Sequence, residues 1–364
     1  MTKLHELNQI GQSIWYDNIQ RSLITDGGFQ ALINAGVVGV TSNPSIFKKA
    51  IADSADYDEA MSRLATAGKS TNEIYESLAM DDIAQTADLF LPVYEATDGL
   101  DGYVSLEVDP TLANDTETTI SEARRLFTAL ARPNVMIKVP ATPAGIPAIR
   151  TLIGDGININ VTLLFAVANY QAVAEAYIDG LEALAANGGD VSKVASVASF
   201  FVSRVDAAVD EALAAVGNTE LQGKIAIANA KVAYALFHDL YSQARWQTLA
   251  AKGARPQRLL WASTSTKNPA YPDVLYMDGL IGPETVNTVP PATLDAFLDH
   301  GTVADTLETE TAVAQKQVAQ LADLGVDLDA ITTKLQEDGV ASFAEAFAAL
   351  MQSTENKRAE LKPA

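Results

Sequence analysis

Short runs of apolar and β-branched residues recur along the chain, and longer alanine-rich segments with helical spacing lie between them. Eight runs have the length and composition of buried strands. They are Ile14–Asp17, Val37–Thr41, Gly102–Val108, Val135–Val139, Gly156–Val161, Val194–Ala198, Arg258–Ala262 and Thr285–Thr288. Because alternation of strands and helices is typical of parallel βαβ units, the pattern predicts an α/β fold, specifically a (β/α)8 TIM barrel.

The segments between the strands carry helix patterns with recognisable ends. Within residues 118–131, apolar side chains recur at spacings of three and four, and Thr119-Ile-Ser-Glu122 fits a capping box at the helix start. A second helix is predicted from Ala166 to about Ala186, because Asn187-Gly188-Gly189 is a typical C-terminal cap. Both helices have the length expected of a barrel crossover.

The chain reads as a single domain of residues 1–364, because no Gly/Ser-rich or Pro-rich linker divides it. The barrel is expected over about residues 14–300. A C-terminal helical extension is expected over about 302–360, with helices through 303–321 and 342–351 that pack on the barrel, and a helical flank is expected at the N-terminus.

Composition excludes several classes of protein and of chemistry. Hydrophobic residues make up 48% and charged residues 20%, which is typical of a folded soluble protein. Cysteine is absent, so disulfides, thiolate zinc sites and cysteine nucleophiles are excluded. The N-terminus has no apolar core of signal-peptide length, and no run of about 18 apolar residues occurs. We therefore expect a cytoplasmic protein that does not enter membranes.

The net charge narrows the choice of partners. Lysine and arginine total 25 against 46 aspartate and glutamate residues, which leaves a formal charge of −21. Such a surface repels nucleic acid and anionic membranes. A small phosphorylated substrate requires that a few cations be concentrated in one cleft. The oligomeric state stays open.

Lys138 is the first candidate for chemistry, because it lies in the apolar run Val135-Met-Ile-Lys-Val-Pro-Ala-Thr142. Burial disfavours the charged ammonium, so a lysine in such a place can become a neutral nucleophile that forms a Schiff base with a carbonyl substrate. The ordinary alternative is an edge-strand lysine whose stem lies on the sheet while its head reaches water.

Polar residues at the ends of the predicted strands form a second group of candidates, because barrel enzymes take their catalytic side chains from that end of several strands. They are Asp17, Asn43, Glu107, Asn160, Thr162, Ser199, Phe201, Arg204, Ser265 and Lys267. Each alternative is ordinary: a helix N-cap for Asp17, a turn residue for Asn43, a salt-bridge partner for Glu107, a satisfied buried amide for Asn160, and surface charges for Arg204 and Lys267. Their joint position at one end of successive strands favours a common site.

Four motifs, in order, resemble those of the transaldolase family, specifically its longer bacterial branch. They are Thr41-Ser-Asn-Pro-Ser-Ile-Phe47, Ile137-Lys-Val-Pro-Ala-Thr142, Gly156-Ile-Asn-Ile-Asn-Val-Thr-Leu-Leu-Phe165 and Thr285-Val-Asn-Thr-Val-Pro-Pro291. The resemblance runs from about Ile14 to Leu298. Many relatives carry Pro and Gly where this chain has Phe200 and Ser203, and arginine where it has Lys267.

The resemblance implies a (β/α)8 barrel and a definite reaction. Transaldolases move a dihydroxyacetone unit from sedoheptulose 7-phosphate or fructose 6-phosphate to an aldose phosphate, glyceraldehyde 3-phosphate or erythrose 4-phosphate, in the non-oxidative pentose phosphate pathway. The family uses no metal and no organic cofactor.

The resemblance also implies a role for each candidate. Lys138 would form the Schiff base, and Asp17 would be the base for the donor C4 hydroxyl. Glu107 and Thr162 would relay protons through a held water molecule. The remaining candidates would bind substrate: Asn43 and Asn160 at its hydroxyls, Ser199 and Phe201 along the cavity wall, and Arg204, Ser265 and Lys267 at its phosphate.

Two other functions stay open at the level of sequence. A class I aldolase of the same superfamily would release free dihydroxyacetone instead of passing it to an acceptor. A catalytically silent barrel would only bind sugar phosphates or serve as an assembly subunit, although Lys138, Asp17 and Glu107 together argue against it.

Overall fold

Eight parallel strands close into a barrel in the computed structural model of the protein, which describes residues 2–52 and 54–361. The strands are β1 (Gln12–Tyr16), β2 (Gly39–Thr41), β3 (Val104–Glu107), β4 (Val135–Pro140), β5 (Ile159–Leu164), β6 (Ser196–Phe201), β7 (Arg258–Ala262) and β8 (Thr285–Val289). Each strand pairs with its neighbours in chain order, and β1 also pairs with β8. The predicted (β/α)8 barrel is therefore confirmed.

The strands lie where the apolar runs predict them, with shifts at their ends. The run Arg258–Ala262 coincides with β7, whereas β5 begins three residues later than predicted, at Ile159. The delay arises at Asn158, whose side chain donates to Val135 O (3.1 Å) and accepts from Ala195 N (2.9 Å). Most strand residues are buried, as expected for a parallel sheet covered by helices.

Sixteen α-helices surround the barrel within the described residues. They are α1 (Lys3–Ile10), α2 (Arg21–Thr25), α3 (Gly28–Ala35), α4 (Pro44–Ala52), α5 (Asp58–Thr66), α6 (Thr71–Ala96), α7 (Thr116–Leu130), α8 (Gly145–Gly154), α9 (Val167–Ala186), α10 (Ser203–Ala215), α11 (Ile225–Ser242), α12 (Ala244–Ala250), α13 (Leu275–Gly279), α14 (Pro291–His300), α15 (Thr311–Asp323) and α16 (Leu328–Glu360). None of these described helices combines the length and the hydropathy that a bilayer span requires.

Helix ends were predicted with mixed success. The predicted end of α9 is confirmed, because the helix stops at Ala186 and Asn187 caps it. The predicted capping box of α7 is wrong. That helix begins at Thr116, and the side chain of Asp115 accepts from Thr118 N (3.0 Å), which leaves Thr119 inside the helix.

The C-terminal extension differs most from its prediction. Residues 303–310 are not helical, because Thr306 donates through its side chain to Asp278 O (2.6 Å) and through its backbone to Ile281 O (3.0 Å). The second helix, α16, is 33 residues long instead of the predicted 342–351. It packs against α4, α6, α10 and β5, and so crosses the carboxyl-terminal end of the barrel.

Candidate active site

A cavity of about 220 Å³ lies at the carboxyl-terminal ends of the strands. Nine of the eleven candidate residues line it. They are Asp17, Asn43, Lys138, Thr162, Ser199, Phe201, Arg204, Ser265 and Lys267. These residues lie on or after six of the eight strands, β1, β2, β4, β5, β6 and β7, which is the arrangement that barrel enzymes use for catalysis.

Lys138 lies in the middle of β4, with its Nζ atom inside the barrel end. The residue is 6% exposed, and Nζ donates to Ser42 O (2.9 Å). In register, Lys138 stands beside Glu107 of β3 and Asn160 of β5. The alternative of an edge-strand lysine with its head in water is therefore wrong. The amine instead lies among groups that can accept or donate protons.

Glu107 lies at the end of β3, directly beside Lys138. Burial raises the pKa of its carboxyl from 4.5 to about 7, the nearby Lys138 opposes this rise, and the charge of Asp17 adds to it. Oε2 is buried and has no hydrogen-bond partner among the described residues. Glu107 lines a second cavity of about 280 Å³, which shares Asn43 and Pro44 with the first.

Asp17 follows β1 and is the second carboxylate near Lys138. Burial raises its pKa, while the charge of Lys138 and a hydrogen bond from Thr41 lower it. Thr41 Oγ1 donates to Asp17 Oδ1 (2.7 Å). The N-cap alternative for Asp17 is wrong, because α2 begins after Gln20.

Thr162 and Asn160 alternate with apolar residues on β5. Thr162 is 1% exposed, and its Oγ1 has no hydrogen-bond partner among the described residues. Asn160 is fully buried and does not line the cavity. Its amide donates to Ser105 Oγ (3.1 Å) and accepts from Ser199 Oγ (2.6 Å), so Ser199 joins it to the cavity wall.

Asn43 closes the cavity on the side of β2. Its Oδ1 accepts from Ile46 N (3.0 Å), which is the contact of a cap on the first turn of α4. The Asn43 side chain therefore caps α4 and also lines the cavity.

The cations lie on the side of the cavity formed by β6 and β7. Arg204 is in the first turn of α10, its guanidinium lies 5.6 Å from the centre of the Phe201 ring, and burial lowers its pKa. Lys267 Nζ donates to Ser265 Oγ (2.7 Å) in the loop after β7. Neither cation takes part in an ion pair within the described part of the chain, so both charges are available to an anion.

No group of three or more His, Cys, Asp or Glu residues in the described ranges has the arrangement of a metal site. The cavity instead combines the buried amine of Lys138, the Asp17 carboxyl with its raised pKa, and the cations Arg204 and Lys267. The Glu107 carboxyl, whose pKa is also raised, stands beside Lys138 and lines the adjoining cavity. Such a set is suited to covalent amine chemistry on a small anionic carbonyl compound.

Comparison with known proteins identifies the family. The family described as Transaldolase/Fructose-6-phosphate aldolase matches residues 14–354. The chain belongs to this family. A protein named Transaldolase from Trichodesmium erythraeum is 50% identical over 99% of this chain and 98% of its own length. Another from Acidothermus cellulolyticus is 49% identical over 98% of both chains, and one named Transaldolase 2 from Nostoc sp. is 48% identical over 99% of this chain and 98% of its own.

Several residues that line the cavity of this transaldolase-family chain were not predicted. Thr41 lies in a quoted motif, and its spacing from Asn43 is the signal that could have identified it. Ser342, Phe343 and Ala346 of α16 also line the cavity. No sequence signal places them there, because a C-terminal amphipathic helix can pack on any face of a barrel.

Proposed function

We propose that the protein is a transaldolase, a transferase that moves a dihydroxyacetone unit from a ketose phosphate to an aldose phosphate. The donors would be sedoheptulose 7-phosphate or fructose 6-phosphate, and the acceptors glyceraldehyde 3-phosphate or erythrose 4-phosphate. The observation that carries the proposal is the buried amine of Lys138, which stands in register with Glu107 and shares one cavity with Arg204 and Lys267. The reaction would belong to the non-oxidative pentose phosphate pathway; a cytoplasmic location stays a prediction.

The first step is imine formation. The amine of Lys138, after it has lost a proton to a base, attacks the C2 carbonyl of the donor and gives a carbinolamine. The carbinolamine loses its hydroxyl as water, which leaves an iminium on Lys138. Glu107, with a pKa of about 7, can both give and take protons near neutral pH. Among the described residues, neither its Oε2 nor Thr162 Oγ1 has a hydrogen-bond partner, and a water molecule between these two atoms would relay those protons.

The second step is carbon–carbon cleavage. Asp17 takes the proton of the donor C4 hydroxyl, the C3–C4 bond breaks, and the aldose product leaves with a new C4 aldehyde. The electron pair moves into the iminium and gives a neutral enamine on Lys138. Because the iminium accepts the electron pair of the broken C3–C4 bond, the step needs no metal ion as an electron sink. Asn43 and Ser199 would hold the hydroxyls of the three-carbon unit from the cavity wall, and Asn160 would act on them through its hydrogen bond with Ser199.

The third step is transfer. The enamine carbon attacks the aldehyde of the acceptor, whose oxygen takes back the proton from Asp17, and hydrolysis of the new iminium frees the ketose product. Arg204, Ser265 and Lys267 would bind the phosphate of donor and acceptor alike. Phe201, together with Phe343 and Ala346 of α16, supplies an apolar wall that would keep bulk water from the enamine.

Free dihydroxyacetone distinguishes transfer from an aldolase reaction. Fructose 6-phosphate should give sedoheptulose 7-phosphate when erythrose 4-phosphate is present, and little free dihydroxyacetone when it is absent. Equal release of dihydroxyacetone with and without acceptor would identify an aldolase. No product under either condition would identify a silent barrel. Lys138→Arg is the control, because arginine stays protonated and cannot form an imine.

A further inference from the structure

An irregularity in β5 lies next to Thr162. Val161 pairs with Ala198 of β6 and Leu164 pairs with Phe200, so three steps on β5 face two steps on β6. Leu163 has a φ of +60°, which is in the left-handed region that a branched side chain rarely adopts. Bulges of this kind redirect side chains at active sites. The backbone around Thr162 therefore requires support from outside the sheet.

Gln336 of α16 supplies this support. Its Nε2 donates to Leu163 O (3.0 Å) and to Ala141 O (3.0 Å). Ala141 directly follows β4, and its backbone N–H donates to Thr162 O (2.8 Å). The amide of one side chain thus joins the carboxyl-terminal ends of the two strands that carry Lys138 and Thr162.

The neighbourhood of Gln336 on α16 is fixed against the barrel. A Cβ atom at Gly339, one turn further along, would lie 3.0 Å from Leu163 Cδ2, so the helix backbone directly contacts the bulge. Further along, Phe347 packs edge-on against Tyr75 with ring centres 5.7 Å apart. Lys357 pairs with Asp58 (2.7 Å) near the helix end. These contacts fix α16, the helix that carries Gln336, against the barrel and the helices around it.

We infer that Gln336 is a positioning residue for imine formation: it holds the Leu163 bulge and thereby keeps the Thr162 hydroxyl beside Lys138 and Glu107. The inference rests on the proposed function, in which Thr162 relays protons during carbinolamine formation and breakdown. The cations proposed to bind phosphate lie on the β6 and β7 side of the cavity, whereas the described hydrogen bonds of Gln336 go to Ala141 and Leu163. The effect of Gln336 should therefore be confined to one step.

Gln336→Met tests this, because methionine has a similar length and no N–H donor. Rapid mixing with fructose 6-phosphate, followed by borohydride, measures the rate of imine formation. We expect a loss of roughly tenfold to a hundredfold, the size of effect that a misplacement of about 1 Å produces. Inhibition by inorganic phosphate should be unchanged. Gln352→Met is the matched control, because Gln352 lies on the same helix, is exposed and bonds only to Asn356 within the described contacts.

A double-mutant cycle separates positioning from general loosening. If Gln336 acts through Thr162, Gln336→Met should slow trapping by less than about twofold in a Thr162→Val background. Penalties that multiply in the double variant would overturn the inference, and so would an unchanged rate in the single variant. If Gln336→Met does not fold, Gln336→Asn replaces it, because its shorter amide cannot reach both carbonyl groups, and the same outcomes apply.

Measurements on the wild-type protein distinguish a failure of the proposed function from a failure of the inference about Gln336. If the wild type gives no borohydride adduct at Lys138, the proposed function fails. If the wild type is trapped and Gln336→Met is trapped equally fast, the proposed function stands and only the role of Gln336 is wrong.

Discussion

Glu107 and Lys138 occupy paired positions on the adjacent strands β3 and β4, so a half-buried carboxyl and a buried amine stand side by side at the barrel end. Burial raises the pKa of Glu107 to about 7 although Lys138 opposes the rise. A carboxyl with this pKa exchanges protons readily at neutral pH, which is the property that imine formation requires.

Glu107 should cost stability at alkaline pH. Its pKa is about 7 in the folded protein and near its ordinary value of 4.5 in the unfolded chain, so the folded state binds the proton more tightly. The free energy of unfolding therefore falls as pH rises from 4.5 through 7. Glu107→Gln removes the ionised form and should stabilise the protein by about 1 to 2 kcal/mol at pH 8, with little gain at pH 4.5.

Urea unfolding at the two pH values measures this difference. Glu211→Gln is the control, because Glu211 is exposed on α10 and the change should be neutral at both pH values. A Glu107→Gln difference that is the same at pH 4.5 and at pH 8 would contradict the raised pKa.

The two carboxylates should act on different steps. Asp17→Asn should still form the borohydride adduct with fructose 6-phosphate but should not release aldose, because cleavage lacks its base. Glu107→Gln should slow formation of the adduct itself. Each loss should be of order 10²-fold or more, which is usual for a positioned acid or base. Equal defects in adduct formation would remove this division of labour.

Arg204 should recognise the phosphate group and not the sugar. Arg204→Ala removes a charge-assisted contact of roughly 1.5 to 3 kcal/mol, so KM for fructose 6-phosphate should rise about ten- to a hundredfold. Unphosphorylated fructose should be affected far less. Arg150→Ala is the control, because Arg150 is exposed and pairs with Asp179 away from the cavity. If both sugars are penalised equally, Arg204 is structural and the phosphate binds elsewhere.

Lys267 should make a smaller contribution of the same kind, because it is exposed and offers one point charge. Lys267→Ala should raise KM for fructose 6-phosphate by less than Arg204→Ala does. Lys267→Arg should lower it, because a guanidinium can bind phosphate through two hydrogen bonds. A Lys267→Arg variant that binds fructose 6-phosphate more weakly would show that the loop has no room for the guanidinium.

The barrel was predictable because each strand is a short apolar run bounded by turns, and burial on both faces makes such runs distinct. The position of Lys138 could be predicted for the same reason. The extent of α16 could not. Glycine disfavours the interior of a helix, so no local pattern extends the predicted helix back through Gly339. In the structure Gly339 lies where the helix backbone approaches Leu163, and Lys334 pairs with Asp338 (2.8 Å) on the exposed face.

Contacts between residues far apart in the chain could not be predicted from the sequence either. Thr41 bonds Asp17 across 24 positions, and Gln336 bonds Leu163 across 173, so no local pattern reports either pair. Asn160 shows the opposite case. Its position on a strand was predicted correctly, but only the structure shows that its amide forms hydrogen bonds with Ser105 and Ser199.

The most direct test of the account is to find the lysine that forms the imine. The chain offers an internal control in Lys231 of α11, which is also buried at 7% exposure, has a pKa lowered by burial and donates to Thr309 O (2.8 Å) outside the cavity. After borohydride treatment with fructose 6-phosphate, peptide mass mapping should locate the adduct on Lys138 in the wild type and in Lys231→Arg, and none in Lys138→Arg. An adduct on Lys231, or no adduct while the enzyme turns over, would contradict the Schiff-base mechanism.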